Sequence, residues 1–416
     1  MNKSIQHWFK LITITGSAQV IVQGLGFVCG ILIIRLLPIE EYALYILANT
    51  MLGTMTVLAD GGISEGVMAE GGKVWKDKEK LGVVLATGLD LRRKFAVGSL
   101  IVTTPILLYL LLDNGASLLT SIMIALSLIP AFYASLSDTL LQIVPKLHQN
   151  IKPLQRNQVE VSIGRLIMIF STLFVFPLSI VAIIANGTPR MYGNIKLKKI
   201  AQDHISANAQ PDIEVRKNIL KIVKRILPGA IYYAISGQLT IWLISIFGTT
   251  QSIAEIGALS RLALLVTFII IIIDFLIVPR FAKLESNRLI LLKEYFLLQI
   301  VLLIISLAII LVTYISSDYI LFVFGDKYSG LNTELLLMAI SSCATIFSLS
   351  TNKLLSSRGI IVPPALFITV MILVQFAFAF IVELSSVSGI IIYSILTTST
   401  IYLMRVMYFL IQSRYK

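Results

Sequence analysis

The segment EYFLLQIVLLIISLAIILVTYIS, residues 294–316, carries one charged side chain, at its first position, and is otherwise almost entirely apolar. A bilayer hydrocarbon core about 30 Å thick is crossed by about 20 such residues in a helix. Comparable segments recur along the chain, at residues 11–34, 42–60, 95–113, 117–145, 159–176, 178–189, 228–248, 252–278, 294–316, 331–352, 363–383 and 387–411. The sequence therefore predicts an all-α integral membrane protein with about twelve transmembrane helices.

Composition excludes a soluble globule. Hydrophobic residues make up 57% of the 416-residue chain and charged residues only 13%, where soluble domains carry about 25%. Cys29 and Cys343 lie far apart inside apolar segments, so we expect two buried core residues and no disulfide framework. The three histidines are isolated from one another. We therefore expect no catalytic residues, no metal site and no cofactor.

The distribution of basic residues indicates the orientation. If the chain starts in the cytoplasm and the spans alternate, nearly all of the 34 lysines and arginines fall on the cytoplasmic side. Only Arg35 and Lys327 then lie in outer loops. This asymmetry satisfies the positive-inside rule and places both termini in the cytoplasm. It also attributes the net charge of +12 to membrane topology, and so argues against a nucleic-acid partner.

The longest charged segment divides the spans into two equal sets. Residues 1–189 would form an N-terminal six-helix half, 190–227 a charged cytoplasmic linker, and 228–416 a C-terminal six-helix half. Because only the turn at 177–178 separates the fifth and sixth spans, a re-entrant pair remains an alternative there.

Four spans carry polar or small residues at helical spacing, which predicts a central polar cavity between the halves. The alternative is that these faces are ordinary helix-packing surfaces. The four stripes are Gly16, Gln19, Gln23, Gly26 and Gly30; Tyr42, Tyr45, Asn49, Gly53, Thr56 and Asp60; Ser127, Ala131, Ser135, Asp138 and Gln142; and Glu334, Met338, Ser341, Thr345, Ser348 and Asn352.

Charged residues inside the spans are candidate functional groups. Arg261 lies about nine residues, or ~13 Å, inside the eighth span and suits phosphate or carboxylate recognition. The alternative is a fixed pair with Glu255 or with an acid on another helix. Arg165 lies about six residues from the inner end of its predicted span, where its side chain would snorkel to the interface. Asp138 and Glu334 are candidates for binding a coupling proton or sodium ion.

Two segments resemble polysaccharide flippases, which move lipid-linked oligosaccharides and share a superfamily with multidrug and toxic compound extruders. The first is RLLPIEEYALY, residues 35–45, followed by ADGGI, residues 59–63. The second is LFVFGDKY, residues 321–328, before the tenth span. Leu37 and Ala43 stand where glycines are usual in that family.

The resemblance implies a flippase in a bacterial cytoplasmic membrane that moves undecaprenyl diphosphate-linked sugar units outward by alternating access, driven by a proton or sodium gradient. Arg261, with Arg35 or Arg165, would bind the diphosphate, and Gln19, Gln23, Tyr45 and Asn49 would contact sugars. A polysaccharide polymerase and chain-length proteins would be partners in O-antigen, capsule or exopolysaccharide assembly. The alternatives are a drug or cation extruder and a membrane glycan polymerase or ligase.

Overall fold

The computed structural model describes residues 3–206, 209–284 and 287–412. Within those ranges the chain is helical and forms no strand. The helices are α1 Lys3–Leu36, α2 Ile39–Asp60, α3 Ile63–Val74, α4 Lys78–Asp113, α5 Leu118–Leu147, α6 Ile151–Leu173, α7 Ser179–Gln202, α8 Ile213–Ser236, α9 Leu239–Phe247, α10 Thr250–Leu259, α11 Ala263–Ile272, α12 Val278–Ala282, α13 Arg288–Ile315, α14 Ser317–Phe324, α15 Asn332–Ser357, α16 Pro364–Ile381 and α17 Val387–Gln412. The predicted all-α membrane architecture is confirmed.

In the described part of the chain, nine helices are long and apolar enough to cross a membrane. Helices α8 and α9, bent by 42° at their junction, would together make a tenth. Helices α6 and α7 are more polar but occupy the positions of the fifth and sixth predicted spans. The sixth prediction, residues 178–189, is too short, because α7 continues to Gln202.

Helix ends follow from local sequence. Asp77 precedes α4 and its side chain accepts hydrogen bonds from the backbone N–H groups of Glu79 and Lys80, while Ser117 caps α5 in the same way. Helix α2 ends at Gly61 and Gly62, both with positive φ (51° and 98°), a conformation that L side chains rarely adopt. This corner lets α3 follow α2 at once.

The chain divides into two compact units, Met1–Leu239 and Thr240–Lys416. In the first unit, α5 packs against α7, α7 against α6, and α6 against α1, while α3 packs against α8. An apolar core joins α3, α4, α5, α6, α7 and α8. The expected linker, residues 190–227, consists largely of the second part of α7 and the first part of α8.

In the second unit, α15 packs against α13 and α17. The eighth predicted span is a series of shorter helices: a 3₁₀ turn, Ser260–Leu262, separates α10 from α11, and a π-helix, Ile273–Ile277, separates α11 from α12. Irregular turns of this kind within a span often mark functional positions.

A cationic cluster and the functional site

Two arginines occupy the middle of the α6–α7 pair. Arg165 lies about eight residues before the end of α6 and Arg190 about eleven after the start of α7, so both lie ~12–17 Å from the turn that joins these helices. The residues just before them, Gly164 and Pro189, are in direct contact: a Cβ on Gly164 would lie 3.4 Å from the Cβ of Pro189. The close approach of the two helices therefore brings the arginines together.

The arginines lack acidic partners. Arg190 donates a hydrogen bond from Nη1 to Ser135 Oγ of α5, at 3.0 Å. The Nε of Arg165 is buried and has no hydrogen-bond partner, and Arg190, Tyr45 and Cys29 are near enough to act on its charge. Among the residues that the structure describes, neither guanidinium forms an ion pair. We call Arg165, Arg190, Tyr45, Ser135 and Asn186 the cationic cluster.

The neighbouring carboxylate of α6 is already neutralised. Glu160 accepts a hydrogen bond from Arg156 Nε at 2.9 Å and a second ion pair from Lys196 of α7. It therefore has little capacity to compensate Arg165, which follows it by about one and a half helical turns. The charge of the cationic cluster is positive.

Uncharged polar groups complete this region. Asn186 donates to Tyr45 Oη at 3.3 Å. Gln19 of α1 donates to Gln158 at 2.9 Å and to Gln155 at 3.3 Å. Because these side chains carry both donors and acceptors, they suit hydroxyl-bearing ligands.

The chemistry of the cluster points to an anion. Charged side chains within a membrane are costly unless they are paired or hydrated, and a guanidinium presents a planar set of donors that matches phosphate and carboxylate oxygens. Two unpaired guanidiniums near each other raise this cost through mutual repulsion. A phosphate or diphosphate bound between them would remove it.

The structure places only part of the predicted site in this cluster. Tyr45 and Arg165 belong to it, and Gln19 contacts α6 nearby. Arg35 and Asn49 are exposed, and Gln23 is half-buried. Arg165 lies about 14 residues, or ~21 Å, after the start of α6 at Ile151, and its snorkelling to the interface stays a prediction.

The other predicted residues lie elsewhere. Arg261 is half-buried in the 3₁₀ turn of the second unit. In the same unit, Glu334 accepts a hydrogen bond from Ser388 Oγ of α17 at 2.7 Å. Asp138, in the first unit, lies near Arg92 and Lys146. Arg190 was missed, because it directly follows the last residue of the sixth predicted span.

A second charged group surrounds a cavity of about 710 Å³ within the first unit. Arg92 is only 2% exposed and donates to Asp60 of α2 and to the carbonyl of Leu136 of α5. Asp60 also accepts from Ser64 Oγ at 2.8 Å. Since Glu65 and Lys146 line the same cavity, its charges are mixed, unlike those of the cationic cluster.

Two of the polar stripes form contacts between helices of one unit. On α15, Glu334, Ser341 and Ser348 bond to Ser388, Ser394 and Arg405 of α17, respectively. On α5, Ser135 receives Arg190, and Ala131 lies against Gly187 of α7. Cys29 and Cys343 are buried, as expected.

The comparisons with known proteins identify the fold. No protein-family model matches the chain, and no match to a curated protein sequence was found. Among solved structures, the chain is similar to an inward-facing multidrug resistance MATE transporter of the MOP superfamily, with TM-score 0.74, 14% identity and coverage of 94% of this chain and 95% of that one. An outward-facing structure from this family gives TM-score 0.65 and 15% identity, with coverage of 98% and 96%.

A third solved structure is a MOP superfamily transporter from Pyrococcus furiosus, with TM-score 0.62, 15% identity and coverage of 97% and 96%. Its description reports a binding pocket of reversed polarity that suggests a different function. By its helices this chain is a polytopic membrane protein with a cationic cluster inside its first unit. Its fold is that of the MATE transporters of the MOP superfamily.

Proposed function

We propose that the protein is a transporter that moves an anionic, lipid-linked oligosaccharide across the membrane by alternating access. The fold supports transport, because similar chains have been solved in inward-facing and outward-facing conformations. The observation that carries the choice of substrate is the pair of arginines, Arg165 and Arg190, with no carboxylate partner among the described residues.

In this proposal, the two guanidiniums hold the diphosphate of an undecaprenyl diphosphate-linked sugar unit. Bidentate contacts between guanidinium and phosphate are strong and fix the orientation of the bound group. Tyr45, Asn186 and the glutamines of α1 and α6 would donate to and accept from sugar hydroxyls. The prenyl chain stays in the hydrocarbon region throughout transport, so no apolar surface of the chain has to enter water.

Further parts of the sequence-based prediction stay proposals. Arg261 and Arg35 would contact phosphate at other stages of transport, and Asp138 and Glu334 would bind a coupling proton or sodium ion. A bacterial cytoplasmic membrane, with both chain termini in the cytoplasm, is the proposed location. A polymerase and chain-length proteins would receive the product there.

An extruder of drugs or cations is the second candidate, supported by the similarity to multidrug resistance transporters. A site for cations favours carboxylates, which attract positive charge and repel anions. The cationic cluster has the opposite charge. We therefore prefer the anionic substrate.

The test is a leaflet assay in proteoliposomes. The purified chain is reconstituted with a fluorescent prenyl diphosphate-linked oligosaccharide, and the fraction exposed to an external quencher is followed with time. The unaltered chain should move the lipid-linked sugar, and the double variant Arg165→Gln/Arg190→Gln should do so at least about tenfold more slowly, because two charge-assisted contacts are lost.

Arg156→Gln is the matched control. It removes an arginine from the same helix, but one whose side chain is 76% exposed and paired with Glu160, so the rate should change little. Movement of a cationic dye by a chain that leaves the lipid-linked sugar in place would support the extruder. Equal rates for the double variant and the unaltered chain would exclude the arginines from the site.

A further inference from the structure

A groove on the surface of the first unit combines apolar walls with basic side chains. It has a volume of about 260 Å³ and lies where α4, α5 and α7 meet. Tyr133 and Ile195, 56% and 62% exposed, contribute to the walls. Arg93 of α4 and Lys198 of α7 supply the exposed charge, while the third basic lining residue, Arg92, is buried and paired with Asp60.

The groove is built from regular helix faces. Its α7 residues, Met191, Asn194, Ile195 and Lys198, are spaced by three, one and three positions and so share one face. Asn194 holds α7 to α5 by donating to Ser137 Oγ at 2.9 Å. The walls are therefore positioned by helix packing and need no ligand to form.

The two exposed basic residues differ from their neighbours in lacking acidic partners. Lys94, beside Arg93, pairs with Asp90 at 2.9 Å, and Lys196, two residues before Lys198, pairs with Glu160. Arg93 and Lys198 are exposed, and within the described ranges neither forms an ion pair. Their charges are available to a ligand outside the chain.

The depth of the groove fits a membrane interface. Arg93 lies about 20 residues before the end of α4, Ser137 about 19 after the start of α5, and Lys198 about 19 after the start of α7. These three helix ends, Asp113, Leu118 and Ser179, lie on the side predicted to be outside the membrane. At 1.5 Å per residue, all three residues lie ~30 Å from them, which is the thickness of the hydrocarbon core. The groove therefore opens where lipid phosphates lie on the basic side of the protein.

The geometry points to a binding site for an anionic glycerophospholipid, whose phosphate contacts Arg93 and Lys198 while one acyl chain lies along Tyr133 and Ile195. Basic side chains at this depth attract anionic headgroups, and the exposed apolar walls would otherwise face loosely packed lipid. No residue of the cationic cluster lines this groove, although Ser135 and Arg190 adjoin lining residues in the chain.

The inference is tested by native mass spectrometry of the full-length chain in detergent, titrated with phosphatidylglycerol or phosphatidylcholine. The unaltered chain should retain one phosphatidylglycerol in preference to phosphatidylcholine. Arg93→Gln and Lys198→Gln should each weaken phosphatidylglycerol binding roughly fivefold, and the double variant roughly 30-fold. Lys198→Arg should retain binding.

Lys199→Gln is the matched control, because Lys199 is also exposed but points about 100° away from Lys198 around α7 and does not line the groove. Unchanged phosphatidylglycerol binding in the double variant would overturn the inference. It would also be overturned if Lys199→Gln weakened binding as much as Lys198→Gln, or if the unaltered chain did not distinguish the two lipids.

Discussion

Arg165 of α6 and Arg190 of α7 lie near enough to repel each other, and neither has a carboxylate partner in the part of the chain that the structure describes. The contact between Gly164 and Pro189 fixes this proximity. Two like charges held together by helix packing reduce the stability of the unliganded protein. The same two charges attract an anion, so they form a high-affinity anion site.

This arrangement predicts that Arg165→Gln stabilises the empty protein. The substitution removes a half-buried cation that has no ion-pair partner among the described residues, so the free energy of unfolding should rise by about 1 kcal/mol. Thermal unfolding of the detergent-purified protein measures it, with Arg156→Gln as the exposed control. Pyrophosphate should raise the melting temperature of the unaltered chain but not that of Arg165→Gln. A lower melting temperature for Arg165→Gln would show that the arginine is structural.

The buried pair of Arg92 and Asp60 should behave in the opposite way. Arg92 is 2% exposed and joins α4 to α2 and α5, so Arg92→Met leaves the Asp60 carboxylate without its cation. We expect a loss of about 3 kcal/mol in the free energy of unfolding, since breaking a buried pair strands one charge. The more exposed pair of Lys94 and Asp90 is the control, and Lys94→Met should cost less than about 1 kcal/mol. Similar losses for both variants would contradict this.

The sequence predicted the helices better than the site. Long apolar segments determine where a chain crosses the bilayer, so all twelve predicted spans correspond to helical segments. Arg190 was missed because the apolar segment stops at Pro189. The helix nevertheless continues to Gln202. Residues 190–202 are polar, so hydropathy does not identify them as helical, but their packing against α5 and α6 stabilises the helix.

Contacts between side chains of different helices also could not be predicted from the sequence. Asp60 and Arg92 belong to different helices, and no local pattern relates them. The polar stripe of α15 shows the same limit, because spacing alone cannot distinguish a ligand-facing surface from a surface that bonds to α17. Tertiary packing decides which of the two a stripe becomes.

Glycine at position 187 is predicted to be necessary for the contact between α5 and α7. A Cβ there would lie 2.7 Å from the Cβ of Ala131 and 3.2 Å from its Cα, so Gly187→Ala must push the helices apart. We expect a loss of about 2 kcal/mol in the free energy of unfolding. Gly98→Ala is the control, because a Cβ at Gly98 of α4 meets nothing within 4 Å and alanine favours a helix. The pair is compared by thermal unfolding, and equal melting temperatures would exclude close packing at Gly187.

Two histidines predict a pH dependence of stability. His148, after α5, and His204, after α7, stack with ring centroids 4.2 Å apart. Burial lowers the pKa of His204 below its usual value of 6.5, and the positive charges of His148 and Lys78 lower it further, against an opposing effect of Asp203. The folded protein therefore binds a proton at His204 less readily than the unfolded chain.

The sign of the effect follows from this difference. Above pH 6.5 the imidazole is largely neutral in both states and does not affect stability. As the pH falls below 6.5, the unfolded chain takes up the proton first, so stability is lost on acidification. The melting temperature of the unaltered chain should fall between pH 7.5 and 5.5. The melting temperature of the His204→Gln variant should fall by less over the same interval. An equal fall in both proteins would show that other groups cause the acid sensitivity, since glutamine keeps a polar side chain at this position but does not titrate.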